Sequence, residues 1–230
     1  MATSYAFILG IFVSVLIGLA FYYYKDVYKR RVLTNQLLGA DGGSEKKYEY
    51  KSLPEKYTNY ELKGYVKKYE WKLQEVFNRE NDRYAANKNL DYIKFSADLN
   101  KNPNTIFIHK KTDVVTKPEL FNHIQTVFFD GKILNPDVDA QVKEMNIVPC
   151  GSTGDFIKNF YVFAKNKHSV KRVLTELVED VIVHDFNWCK EDSFRVMILK
   201  DKLVIKTHTS INSGEIKSII RLGEKILDYI

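Results

Sequence analysis

The chain holds only two cysteines, Cys150 and Cys189, too few for the disulfide framework of a secreted scaffold. None of its sixteen asparagines begins an Asn-x-Ser/Thr acceptor, so no glycosylation site marks it as exported. Gly-x-x-x-x-Gly-Lys-Ser/Thr, Gly-x-Gly-x-x-Gly, His-Glu-x-x-His, Cys-x-x-Cys and Gly-x-Ser-x-Gly are all missing, which removes the common nucleotide, zinc and nucleophile-elbow signatures. No repeat of about 20 to 50 residues appears, which argues against a solenoid. Charge is absent from the whole N-terminal stretch, because all 35 Lys+Arg and all 29 Asp+Glu lie from Lys25 onward.

That last absence divides the chain. Twenty uncharged residues, Tyr5 to Tyr24, reach about 30 Å as a helix, the thickness of a bilayer's hydrocarbon core. Tyr5 stands at one end and Tyr22, Tyr23 and Tyr24 at the other, at the levels amphipathic rings prefer. Lys25, Lys29, Arg30 and Arg31 follow, and by the positive-inside rule they place the larger part of the chain on the cytoplasmic or matrix side. A cleaved signal peptide competes with an anchor, since Gly18 and Ala20 offer small residues for cleavage. Against it, the leader Met1-Ala2-Thr3-Ser4 has no basic residue and the apolar run exceeds the usual signal core. Within the run Ala6, Gly10, Ser14 and Gly18 recur every four residues, a small-residue face of the kind along which membrane helices approach closely. The expected partners are therefore other membrane subunits or a second copy of the chain.

Basicity is local. From Lys25 to Lys72 twelve Lys+Arg oppose seven Asp+Glu, and the remaining chain carries twenty-three against twenty-two. Lys25, Lys29, Arg30, Arg31, Lys46 and Lys47 would thus meet anionic lipid headgroups, or serve only as topology signal and solvated linker. Nucleic acid ranks lower, because no basic, aromatic recognition motif occurs.

Composition divides the chain into residues 1–31 as anchor with basic flank, 32–56 as a linker marked by Gly39, Gly42 and Gly43, and 57–230 as one α+β domain. Thr58 and Glu61 form a capping-box pattern, and Leu62, Tyr65, Val66, Tyr69, Leu73, Val76 and Phe77 fall at helical spacing, predicting a helix from about Asn59 to Arg79. Lys63, Lys67, Lys68 and Lys72 would occupy its solvated face. Strands are expected at Tyr92 to Phe95, Thr105 to His109, Gln125 to Phe129 with a hairpin turn at Asp130-Gly131, and Asn159 to Ala164. Ser169 is read as the cap of a helix through Val181, with its charges reversed against the helix dipole. A hairpin, Phe194 to Leu199 with Leu203 to Thr209, and a helix from Gly214 end the chain. Gly223 falls on the apolar face of that helix, where it suggests a close approach. This order fits an antiparallel sheet covered on one side by two or three helices.

Chemistry is thinly represented. Cys150-Gly151-Ser152-Thr153-Gly154-Asp155 has the glycines of an anion loop but no following Lys or Arg, and reads as a turn. His184, Asp185 and Cys189 form the one close grouping of base, carboxylate and thiol; on a strand His184 and Asp185 would face opposite ways. Asp137 and Asp139 lack the glycine and terminal Glu of a calcium loop. His109, His123, His168, His184 and His208 show no metal-pair spacing. No catalytic, metal or cofactor-binding residue is assigned, and no cofactor is expected. The leading reading is a non-catalytic accessory or scaffold subunit anchored by one span, ahead of an anchored lipid-binding domain and a membrane-bound enzyme.

Overall fold

The computed structural model describes residues 2–22, 24, 28, 49–55, 58–76, 92–100, 105–111, 124, 136–149, 154–186, 189, 194–208 and 212–230. The chain divides into two compact units, one of Met1–Lys47 with Ile211–Ser213, the other of Tyr48–Ser210 with Gly214–Ile230. In the first unit helix α1 runs over Ala2–Tyr22. Among the described residues no helix is long and apolar enough to cross a membrane, so the span expected over Tyr5 to Tyr24 is not supported there; the described side chains of α1 begin at Gly10.

The second unit is α+β. Its nine described strands are β1 (Glu49–Glu55), β2 (Thr58–Val66), β3 (Tyr69–Val76), β4 (Tyr92–Asp98), β5 (Ile106–Lys110), β6 (Asn146–Ile147), β7 (Phe160–Ala164), β8 (Arg195–Ile198) and β9 (Lys202–His208). They form one sheet in the order β1-β2-β3-β4-β9-β8-β5-β7-β6, and every neighbouring pair is antiparallel. β1 falls inside the stretch read as linker and carries Pro54, with an irregular register between Ser52 and Glu55. The opposite edge, β6, is two residues long.

The helix predicted over 59–79 is instead the β2–β3 hairpin. Burial along β3 follows a period of two, with Tyr69, Trp71, Leu73 and Glu75 buried and Glu70, Lys72 and Gln74 between them more open, while on β2 Tyr60, Glu61 and Leu62 are all buried beside a register shift. Lys67 turns the chain with a positive φ of 52°. The strands at 92, 105 and 159 and the C-terminal hairpin form where the sequence places them. Gln125 to Phe129, the Asp130-Gly131 turn and Cys150 to Thr153 lie outside the described residues.

Five described helices accompany the sheet: α2 (Pro136–Lys143), α3 (Gly154–Asn159), α4 (Lys167–Lys171), α5 (Glu176–Asp185) and α6 (Ser213–Tyr229). The single helix expected from Ser169 to Val181 is broken into α4 and α5. Asn166, not Ser169, caps α4, its Oδ1 accepting from the Ser169 backbone N–H at 2.9 Å and from the Ser169 hydroxyl at 3.0 Å. The break reverses the dipole argument, for Lys171 now closes α4 while Glu176 and Glu179 open α5.

On one face of the sheet α6 buries Ile216, Ile219, Ile220, Leu222, Gly223, Ile226 and Leu227. Gly223 sits on the ring of Phe95 in β4, where any Cβ would clash. An aromatic chain continues that core: Phe156 stacks on Phe160 at 5.1 Å, Phe160 meets Phe194 at 5.7 Å, and Phe194 meets Phe186 at 4.8 Å. The sheet is not covered on one side only. Phe107, Phe163, Met197 and Val204 point from its other face into a second core with Val142 of α2, Met145 and Ile124.

Candidate functional site

The second core occupies only part of its face. Beside it strand register aligns one residue from each of seven adjacent strands, in the order Glu61, Gln74, Lys94, Lys206, Arg195, His109 and Tyr161. None is aliphatic. Side chains directly opposite on antiparallel strands stand about 4.5–5.5 Å apart at Cβ, so Lys94, Lys206 and Arg195 bring three cations abreast. Gln74 and Glu61 satisfy each other through Nε2 donating to Oε2 at 2.8 Å. At the other end His109 is buried, and the Lys111 ammonium lies 4.9 Å from the Tyr161 ring centre.

This arrangement is electrostatically costly, because like charges directly opposite repel. Burial pushes the half-buried Lys94 ammonium below its ordinary range, and Lys202 and Lys206 on β9 push it the same way. Lys206 rests its ammonium over the Tyr92 ring at 5.0 Å, which partly offsets its own charge. The sequence offered no sign of this row. Its three cations come from positions 94, 195 and 206 and meet only through β4–β9–β8 pairing.

The residues singled out from sequence behave differently. Ala6 and Tyr5 belong to α1 without described side chains, as does Tyr22, while Tyr23, Lys25, Lys29, Arg30 and Arg31 lie outside the described residues. Gly10 and Gly18 have nothing within 4 Å of where a Cβ would stand, and the Ser14 hydroxyl donates back to the Gly10 carbonyl at 2.9 Å. Tyr24 stacks on Tyr28 at 5.7 Å.

His184 and Asp185 lie on α5, not on a strand. His184 is exposed, and Asp185 faces Arg221 of α6 at 3.4 Å. Cys189 is buried, its carbonyl accepting from Lys110 Nζ at 2.9 Å. Burial pushes its thiol up to about 12, which suppresses the thiolate a nucleophile needs. Asp139 lies on α2, paired with Lys143 at 2.7 Å. Among the described residues no group of three or more His, Cys, Asp or Glu is placed to hold a metal ion.

No protein-family model and no curated protein sequence matches the chain. Among solved structures it resembles the crystal structure of the mycobacterial trehalose monomycolate transport factor A, TtfA, with 8% sequence identity and a TM-score of 0.47 over 87% of this chain and 93% of that one.

Proposed function

We propose that the protein is a non-catalytic accessory or scaffold subunit of a membrane-associated complex, held by α1 as a single span with the α+β unit on the cytoplasmic or matrix side. The observation that supports this reading is the surface of α1. From Gly10 to Phe21 every residue is exposed, and Phe12, Ile17, Leu19 and Phe21 each show 60% or more of their area. Water does not tolerate a helix apolar on every side, so lipid or other helices cover it. Gly10 and Gly18 leave open space along one line of that surface, which suits close contact with a second membrane helix.

The test is extraction of the intact chain in mild detergent followed by native mass measurement. A defined larger assembly is expected, which Gly10→Ile with Gly18→Ile dissociates while the chain stays in the membrane fraction. A chain found in the soluble fraction, or an assembly indifferent to both substitutions, would overturn the proposal.

A further inference from the structure

We infer that the exposed basic turn of residues 165–172 docks on an anionic lipid surface. Between Asp155 and Glu176 the chain carries five Lys+Arg and no Asp or Glu, whereas the rest of residues 73–230 carries eighteen against twenty-two. Four of the five, Lys165, Lys167, Lys171 and Arg172, are exposed on α4 and its flanks, with His168 exposed among them. Lys165 pairs with Glu144 at 2.7 Å. Among the described residues the side chains of Lys167, His168, Lys171 and Arg172 form no hydrogen bond or ion pair. Lys167 and Lys171 stand one helical turn apart, where like charges repel. The turn is nonetheless fixed, because Val170 is buried, α4 rests against β7 and Asn166 caps its start.

The make-up of the turn selects the partner. Its cations are Lys except for Arg172, and Lys is a point charge without the fork that recognises a single carboxylate. Lys is also depleted at protein interfaces. A nucleic-acid surface would need aromatic rings for bases to stack on, and residues 165–177 contain no Phe, Tyr or Trp. An anionic leaflet needs neither fork nor ring, only several cations near one plane, each strengthening adsorption about fivefold. Leu177, in the first turn of α5 just beyond the cations, is 53% exposed and offers an apolar side chain to the headgroup boundary. Glu176 bounds the patch on that side and forms no ion pair with it. The inference rests on the reading of α1 as a span in one respect, that an anchor keeps the leaflet within reach.

The full chain carrying Cys150→Ser and Leu177→Cys, labelled at position 177 with a polarity-sensitive dye, tests it in nanodiscs of phosphatidylcholine with and without phosphatidylserine. Cys189 is buried and takes no label. Blue-shifted emission and quenching by spin-labelled lipid are expected only with phosphatidylserine, and both should fade at high salt. Lys167→Gln with Lys171→Gln and Arg172→Gln should shift the balance toward undocked chain about a hundredfold, the loss of three cations. Lys158→Gln with Lys200→Gln and Lys217→Gln removes the same charge from three other exposed positions and should leave the emission unchanged. The first triple variant should unfold at the parent's Tm, since its changed side chains are all exposed, and this separates lost contact from lost fold. Resistance to extraction by alkaline carbonate reads the span on its own, so a failed anchor is told apart from a failed patch. Emission indifferent to phosphatidylserine, or equally affected by the two triple variants, overturns the inference. So does binding of polyglutamate in place of phosphatidylserine that the first triple variant loses, which assigns the patch to an acidic protein.

Discussion

Trp71 and Phe95 stack with ring centroids 5.3 Å apart, and each ring rests on a glycine, Trp71 on Gly64 of the adjoining strand and Phe95 on Gly223 of α6. Two missing side chains thus make room for two large rings, and both rings are fully buried.

Gly223→Ala should therefore destabilise the domain. Alanine gains about 1 kcal/mol of helix propensity over glycine, but overpacking a rigid core costs about 1–3 kcal/mol. The contact should win, because Phe95 is fully buried and stacked on Trp71. Chemical denaturation should show a lowered midpoint, and Phe95→Leu combined with Gly223→Ala should cost less than the sum of the two single changes.

Asn166→Ala should remove the cap of α4 at a cost of about 0.5–2 kcal/mol. Ser169→Ala should cost far less, since the Ser169 hydroxyl only adds to a bond its backbone already makes. Equal losses from both changes would reinstate Ser169 as the cap.

Glu176→Lys tests the break between α4 and α5. In one continuous helix Lys at this position would approach the C-terminal end and stabilise it. In the structure Glu176 is exposed in the first turn of α5, so the change should destabilise by about 0.3–1 kcal/mol, more at low salt than at high. The sign of the shift in Tm decides between the two.

Cys189 should be inert and should make stability fall at high pH. Burial holds its folded thiol at about 12 against an ordinary value of 9.0. Between those values the unfolded chain releases a proton that the folded chain keeps. Stability therefore declines above pH 9.0, by up to about 1.4 kcal/mol per pH unit. Cys189→Ala should flatten that decline relative to the parent. In a Cys150→Ser background, a thiol reagent should label Cys189 only after denaturant is added.

Sequence reading recovered the elements whose pattern is local. Alternation along 194–199 and 203–209 specified the hairpin, and the apolar face of 216–227 specified α6 together with the tight approach at Gly223. It failed where two periods fit the same residues. Leu62, Tyr69 and Leu73 suit a helix as well as a strand pair, and Lys67-Lys68 carries none of the usual turn residues although Lys67 takes a positive φ. It failed again at α4–α5, where Val173 and Leu174 are buried in the connection itself and keep the apolar stripe unbroken. The cationic row was out of reach for another reason, because contact among positions 94, 195 and 206 exists only in the assembled sheet.

The two sheet edges carry a consequence for assembly. An open edge invites another strand, and proteins discourage this with short, bulged or proline-bearing edges. β6 offers two residues, and β1 carries Pro54, which has no N–H to donate, beside an irregular register. Among the described residues both edges of the sheet thus discourage a further strand, so copies crowded on one surface should keep separate sheets and meet through side chains instead of fusing backbone to backbone.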